Sequence, residues 1–409
     1  MADASRAGVI LFDDGGGAFG PLCDLRPFFG LRTGAHTHGE RLAAMAGGVH
    51  VASFVPQHMV EVVRETGGVP TNALPAGEIF RIVNGRATSV PDVARGEAFV
   101  TAQGEVLAAH LDHHAALAFA RDRRLPDSVR IHEASADTLF RHPWEILDGL
   151  GAAITSDIMA LAGRVEALGY ATLADPHPAR MGARMGVHPV VLHRTASVAP
   201  FVVFDASQGP IHVGERAVIR PFSVLCGPCS IGSGSTVADR ALIKPNTTCG
   251  PQCRLGGEVG GTSIVGFSNK THDGHLGDSL IGEWVNLGAG TDNSNLLNTY
   301  GEVSVQLEPN GPRQRTGRVF LGSIIGDHVK CAIGTRLMTG TVIGTGAMIA
   351  SSTSPPTTVK RFAWITDAGE RRYALPKFID VLAAVWRRRS LVPSPAYLAR
   401  IAALHGEGR

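Results

Sequence analysis

Residues 213–255 read VGERAVIRPFSVLCGPCSIGSGSTVADRALIKPNTTCGPQCRL, and an aliphatic residue or cysteine returns at every sixth position: Val213, Ile219, Leu225, Ile231, Val237, Ile243, Cys249 and Leu255. The spacing resumes at Val319, Ile325, Cys331, Leu337, Ile343 and Ile349, with Ile281 and Leu287 as a shorter run between. A period of 2 would mark a half-buried strand and one of 3.6 an amphipathic helix; neither fits. A period of six fits a parallel β-helix, in which three short strands close one coil and the aliphatic residue of each hexad points into the prism. Chance alternation of β-branched residues would not stay in phase through eight consecutive positions. Each coil is expected to rest on its neighbour, so the part beyond residue 195 is expected to hold together without the residues before it.

Outward from the repeat the pattern changes. Before it, strand-like Gly8–Phe12 and Ala98–Thr101 alternate with helical Pro56–Glu65, Val106–Arg121 and Asp148–Leu168, which predicts an α/β domain with a largely parallel sheet. After it, Pro355-Pro356 breaks the chain, and 375–389 and 395–405 read as helices, the second opened by Ser394 as N-cap and Pro395 at the first helical position. The domains are therefore drawn at 1–190, 195–358 and 359–409.

With 409 residues and a net charge of +2, the chain carries no global field that would gather nucleic acid, so any anionic ligand must be held locally. No apolar run approaches the ~20 residues that span a bilayer, and the start lacks a basic, then apolar, leader. The expectation is a cytoplasmic protein with no membrane or nucleic-acid partner. Its six cysteines are read as reduced core residues, because Cys226-Gly-Pro-Cys229 has no second pair at ligand spacing. The histidines at 36, 38, 110, 113 and 114 form no H-E-x-x-H arrangement, so no structural zinc is expected and metal ligands stay unassigned.

The hexad gives way at residues 268–296, SNKTHDGHLGDSLIGEWVNLGAGTDNSNL. This stretch, the words GGEVGGTSIVGF before it and GSIIGDHVKCAIGT after it make residues 201–364 resemble the acetyltransferase half of the bifunctional UDP-N-acetylglucosamine pyrophosphorylase/glucosamine-1-phosphate acetyltransferase family, in its divergent bacterial branch. ILFDD, LRPFFGLRTGAHTHGERL, IVNGRATSV and HPWEILDG extend a looser resemblance over the N-terminal part. The family's Gly-rich G-x-G-T-R-M loop is replaced by Asp13-Asp14-Gly15-Gly16-Gly17, and the lysine it carries in the coil before its histidine is missing from Glu258-Val259-Gly260-Gly261.

The resemblance implies an α/β nucleotidyltransferase-like domain, an all-β left-handed parallel β-helix and a short helical tail. It implies a homotrimeric sugar-nucleotide pathway transferase taking acetyl-CoA or another acyl-CoA, with a sugar phosphate or sugar nucleotide as the second substrate, and Mg2+ if nucleotidyl transfer is retained. Two other readings stay open: a nucleotidyltransferase that the β-helix merely trimerises, and a non-catalytic trimeric scaffold or ligand sensor. His-x-x-x-Leu-Gly-Asp assigns the catalytic base to His272, although local spacing alone does not separate it from His275. Asn269, Lys270 and Asn286 are expected to orient the acceptor, with His275, Asn293 and Asn295 as further substrate contacts. Arg313, Arg315 and Arg318, on a projecting hairpin turned at Pro309-Asn310-Gly311-Pro312, are expected to meet the coenzyme's phosphates and to reach over a neighbouring subunit. Asp13, Gly15, Gly16, Arg26 and Arg32 are the candidates for nucleotide phosphates, with Asp13 or Asp14 toward a metal. Arg387, Arg388 and Arg389 read as the basic last turn of a helix.

Overall fold

In the computed structural model, which describes residues 8–173 and 183–407, the chain opens with strand β1 (Gly8–Phe12), helix α1 (His38–Met45), β2 (Val49–Phe54), α2 (Val60–Thr66), β3 (Ile79–Asn84), β4 (Glu97–Thr101), β5 (Val106–Asp112), α3 (His113–Asp122), β6 (Arg130–Ala134) and α4 (Glu145–Ala162). One sheet runs in the order β2-β1-β3-β5-β4-β6. It is mixed, not largely parallel: β1 pairs parallel with β2 and β3, and β4 with β6, but β5 runs antiparallel to β3 and to β4. The expectation of a helix from Val106 fails for the same reason. Leu107, Ala108, Ala109 and Leu111 favour helix locally, yet between two antiparallel partners their burial on both faces makes that segment a strand, and the helix begins only at His113.

From Ala183 onward, upstream of position 195, the strands stack into three parallel ladders; with one antiparallel end strand added to each of two ladders (Tyr170–Thr172 and Gly369–Arg372) the sheets number ten, six and ten strands. Together they form the left-handed parallel β-helix. Ile264, Ile281, Ile325, Ile343 and Val359 stand in register on one interior edge and are almost entirely buried, each contributing ~1.5–3 kcal/mol through burial. Val319 is the exception to the hexad: it is exposed, because the hairpin before it has taken the chain out of the coil.

Two faces of the prism are covered by other parts of the chain. The first, which includes Ser263–Gly266, Leu280–Glu283 and Ser323–Ile325, packs Val265, Leu280, Ile324 and Val342 against Leu150, Ile154 and Ile158 of α4 and against Phe28. Polar bonds stitch this seam. Ser263 Oγ donates to Arg32 O at 2.7 Å and Thr248 Oγ1 to Gly34 O at 2.9 Å. Arg26 reaches across to Asp327 at 2.8 Å and Glu283 at 3.0 Å, and Arg361 pairs with Asp24 at 2.8 Å. The prism therefore does not rest on its own coils alone; it shares a core with the α/β domain.

Of the two tail helices, α5 (Leu375–Arg387) lies over the second face, where Trp386 stacks on Trp284 with centroids 4.8 Å apart, and α6 (Pro395–Glu407) packs on α5 and on α2. The third face carries Val224–Cys226, Leu242–Ile243, Glu258–Gly260 and His275–Gly277. The expected hairpin is present, with Ser304–Val305 antiparallel to Gln314–Arg315. It folds onto its own chain: Val303, Val305 and Leu307 are buried in the cluster that includes Phe19 and Leu22. Among the described residues no helix is long and apolar enough to cross a membrane.

Candidate active site on the second face

Strands stacked in register place their outward side chains in columns, since alternate residues point to opposite sides. On the second face one outward column runs Thr236, Arg254, Asn269, Asn286, Lys330 and Met348. The inward column beside it runs Val237, Leu255, Lys270, and then, one strand on, Leu287, Cys331 and Ile349. The corner after Lys270 is Thr271-His272-Asp273-Gly274, which lifts the His272 side chain out to solvent.

Column, corner and α5 enclose a cavity of about 770 Å³. His272, Asn269 and Asn286 line it, as do Arg254, Lys330, Arg388 and Arg389; no carboxylate does. Arg389 donates to Asn269 Oδ1 at 3.2 Å, and the Asn269 amide lies 3.5 Å from Asn286 Oδ1. Lys330 donates to the carbonyl of Trp284, and burial pushes its ammonium down to about 8. Four cations without a carboxylate make a local positive field within a partly desolvated space, which suits a ligand carrying phosphates. The exposed imidazole at its edge can take a proton from a group bound there.

The structure thus brings together three of the residues singled out in the sequence and separates the others. Lys270 points into the prism, 2 % exposed, and does not line the cavity. His275 stands on the third face, its Nδ1 3.3 Å from Glu258, whose carboxylate also takes Lys244 at 2.7 Å. Asn293 is spent on the backbone, accepting from Gly277 N at 2.8 Å and donating to Gly277 O at 3.0 Å; Asn295 donates to Asp278 at 2.7 Å. Of the hairpin arginines, Arg315 pairs with Glu302, Arg318 with Asp148 of α4, and Arg313 donates to Ser304 O at 3.3 Å.

The candidates for nucleotide phosphates are likewise engaged. The amide of Gly15 donates to Asp13 at 2.8 Å and that of Gly16 to Asp14 at 2.9 Å. Asp14 is clasped by Arg86 at 2.6 Å, and a Cβ on Gly16 would meet that guanidinium at 2.4 Å. Burial pushes the Asp13 carboxyl up. Arg26 and Arg32 lie in the seam, where Arg26 serves Asp327 and Glu283 and Arg32 donates to the Ala35 carbonyl. Among the described residues no group of three His, Cys, Asp or Glu side chains is placed to hold a metal ion.

Sequence reasoning missed Arg254 and Lys330, and it took Arg388 and Arg389 for an ordinary helix end. The first two sit in register with Asn269 and Asn286, so extending that column would have found them. The tail arginines join only through the docking of α5, which no local signal announces.

Fold and site together define a nucleotidyltransferase-like α/β domain joined to a β-helix with a cation-lined cavity. Residues 9–165, less than half of the chain, match the family model described as sugar nucleotidyl transferase. The chain is similar to the bifunctional sugar-1-phosphate nucleotidylyltransferase/acetyltransferase of Sulfurisphaera tokodaii, 34% identical over 144 residues, 35% of each chain. It is also similar to the bifunctional protein GlmU of a Jannaschia species, 31% identical over 163 residues, 39% of this chain and 31% of that one. The match thus spans about a third of the length of these curated relatives. A crystal structure of AntD, an N-acyltransferase from Bacillus cereus, covers 50% of this chain and 91% of its own at 14% identity; its TM-score of 0.21 carries no argument.

Proposed function

We propose that the protein is a sugar-nucleotide pathway transferase whose β-helix moves an acyl group from acyl-CoA to the amine of an amino-sugar phosphate or nucleotide. The observation that carries this reading is the second-face cavity, where His272, Asn269 and Asn286 meet Arg254, Lys330, Arg388 and Arg389 with no carboxylate among the lining residues. The cations hold phosphates, the asparagine amides orient the acceptor and polarise the thioester carbonyl, and His272 takes the amine proton as the nitrogen attacks. The C–S bond breaks as the C–N bond forms, and the proton held by His272 passes to the departing sulfur, so coenzyme A leaves as the thiol. A homotrimer is part of the proposal, as the resemblance implies, with the acceptor's sugar class left to experiment.

The nucleotidyltransferase reading is favoured by the family match over residues 9–165. Against it stand the engaged amides of Gly15 and Gly16 and the Asp14–Arg86 pair. Since Asp14 is committed to an arginine, no step is routed through Mg2+.

The test is a panel of amino sugars, their 1-phosphates and their nucleotides, offered with acetyl-CoA and nucleoside triphosphates, reading free thiol and pyrophosphate separately. Acceptor-dependent thiol release without pyrophosphate is the expected result. Pyrophosphate alone would move the activity to the α/β domain, and neither signal would favour the scaffold.

A further inference from the structure

Lys270 interrupts an interior column that is otherwise apolar. Its neighbours there are Leu255 below and, on the next strand, the position of Leu287 above, both buried. A lysine inside a β-helix core gives up hydration with no carboxylate bonded to it among the described contacts, and burial pushes its ammonium below the ordinary lysine range. An apolar side chain would pack there at less expense, so the charge has a local use.

That use is visible at the corner. From Val237 to Leu255 the coil takes 18 residues, but from Leu255 to Lys270 it takes 15. The shortening falls partly at the corner below, where only Gly256 and Gly257 separate Leu255 from the strand Glu258–Gly260. A Cβ on Gly257 would lie 2.9 Å from His272 O and 2.6 Å from Gly274 O, so the longer corner holding His272 settles directly on the glycines. Lys270 Nζ ties the two corners together from inside, donating to His272 O at 2.6 Å and to Gly256 O at 3.4 Å.

We infer that Lys270 is a positioning residue: from the prism interior its ammonium fixes the corner that presents the His272 imidazole to the second-face cavity, and it touches no substrate itself. This rests on the proposed acyl transfer for its consequence in turnover, but the corner's rigidity is measurable without any substrate.

The experiment uses the full chain carrying Lys270→Met, which restores an apolar column of similar length, beside Leu255→Met, His272→Ala and wild type. Hydrogen exchange is read at the amides of Glu258 and Gly290, which donate to Gly274 O and Asp273 O of the corner, and at 323–331 as the control. The expected result is that Lys270→Met folds with a melting temperature no lower than wild type, that exchange at Glu258 and Gly290 speeds at least tenfold while 323–331 is unchanged, and that Leu255→Met alters neither. In the thiol-release assay Lys270→Met should lower kcat at least tenfold with KM within twofold. Unchanged exchange at Glu258 and Gly290 in folded Lys270→Met overturns the proposal, as does unchanged kcat in that variant when His272→Ala is inactive. Full activity in His272→Ala would instead sink the acyl-transfer reading and leave the exchange result to judge the corner. If Lys270→Met does not fold, Lys270→Arg, which keeps an interior donor, should fold with Glu258 and Gly290 protected; failure of both makes Lys270 a core residue only and overturns the proposal.

Discussion

Two groups of cations divide the molecule. At the seam and on the hairpin four arginines meet carboxylates: Arg26 with Asp327 and Glu283, Arg361 with Asp24 and Glu308, Arg318 with Asp148, Arg315 with Glu302. Around the second-face cavity Arg254, Lys330, Arg388 and Arg389 form no ion pair with a carboxylate among the described residues. Sequence gives both groups the same residue type, and only their neighbours differ. A paired arginine has its charge answered and serves structure, whereas an unanswered cluster keeps like charges close at an electrostatic cost that a bound anion would relieve.

The largest expected effect falls on the paired side. A chain beginning at residue 195 loses α4 and the strand Val190–His193, exposes Val265, Leu280, Ile324 and Val342, and leaves Asp327 without Arg26. It should be insoluble or bind a hydrophobic dye strongly; a soluble fragment with a cooperative melt equal to the full chain's would break the contrast. Within the full chain, Arg26→Ala should cost about 3–5 kcal/mol in denaturant unfolding, because it leaves buried Asp327 uncompensated. Arg315→Ala, at an exposed pair, should cost less than about 1 kcal/mol and leave coenzyme A binding unchanged.

The unpaired side should answer in binding. Replacing both Arg388 and Arg389 by alanine is expected to weaken coenzyme A about tenfold, or ~1.4 kcal/mol, in calorimetry at low salt. A smaller effect follows from Lys330. Burial favours its neutral form, so the ammonium is present below about pH 8 and lost above it, while phosphates stay ionised throughout. Affinity should therefore fall as pH rises through about 8, and Lys330→Arg should flatten that limb. A profile unchanged in Lys330→Arg would remove Lys330 from the ligand's field.

Much of the fold could be read from the repeat because interior columns admit few residue types, so one chemical constraint recurs at a fixed interval. Of the residues lining the second-face cavity, His272 was singled out by a motif and Asn269 and Asn286 by their place in the interrupted repeat. Lys270 was misread because the Gly256-Gly257 corner shortens the coil and shifts which residues face inward. Val106–Asp112 was misread because its alanines and leucines favour helix until antiparallel partners on both sides claim it. Arg388 and Arg389 were beyond local reasoning, since they reach the cavity only through the packing of Trp386 on Trp284.

Turnover of the two histidine variants bears most directly on the second face as the acyl-transfer site. Free-thiol release from acetyl-CoA, with the acceptor identified from the panel, is to be followed for wild type, His272→Ala and His275→Ala after each variant is shown to melt like wild type. His272→Ala should lose ~10²–10⁴-fold in kcat, the usual size of a general-base contribution, whereas His275→Ala, on the third face beside Glu258, should stay within a few-fold of wild type. Equal rates for wild type and His272→Ala, or a loss confined to His275→Ala, would contradict the account.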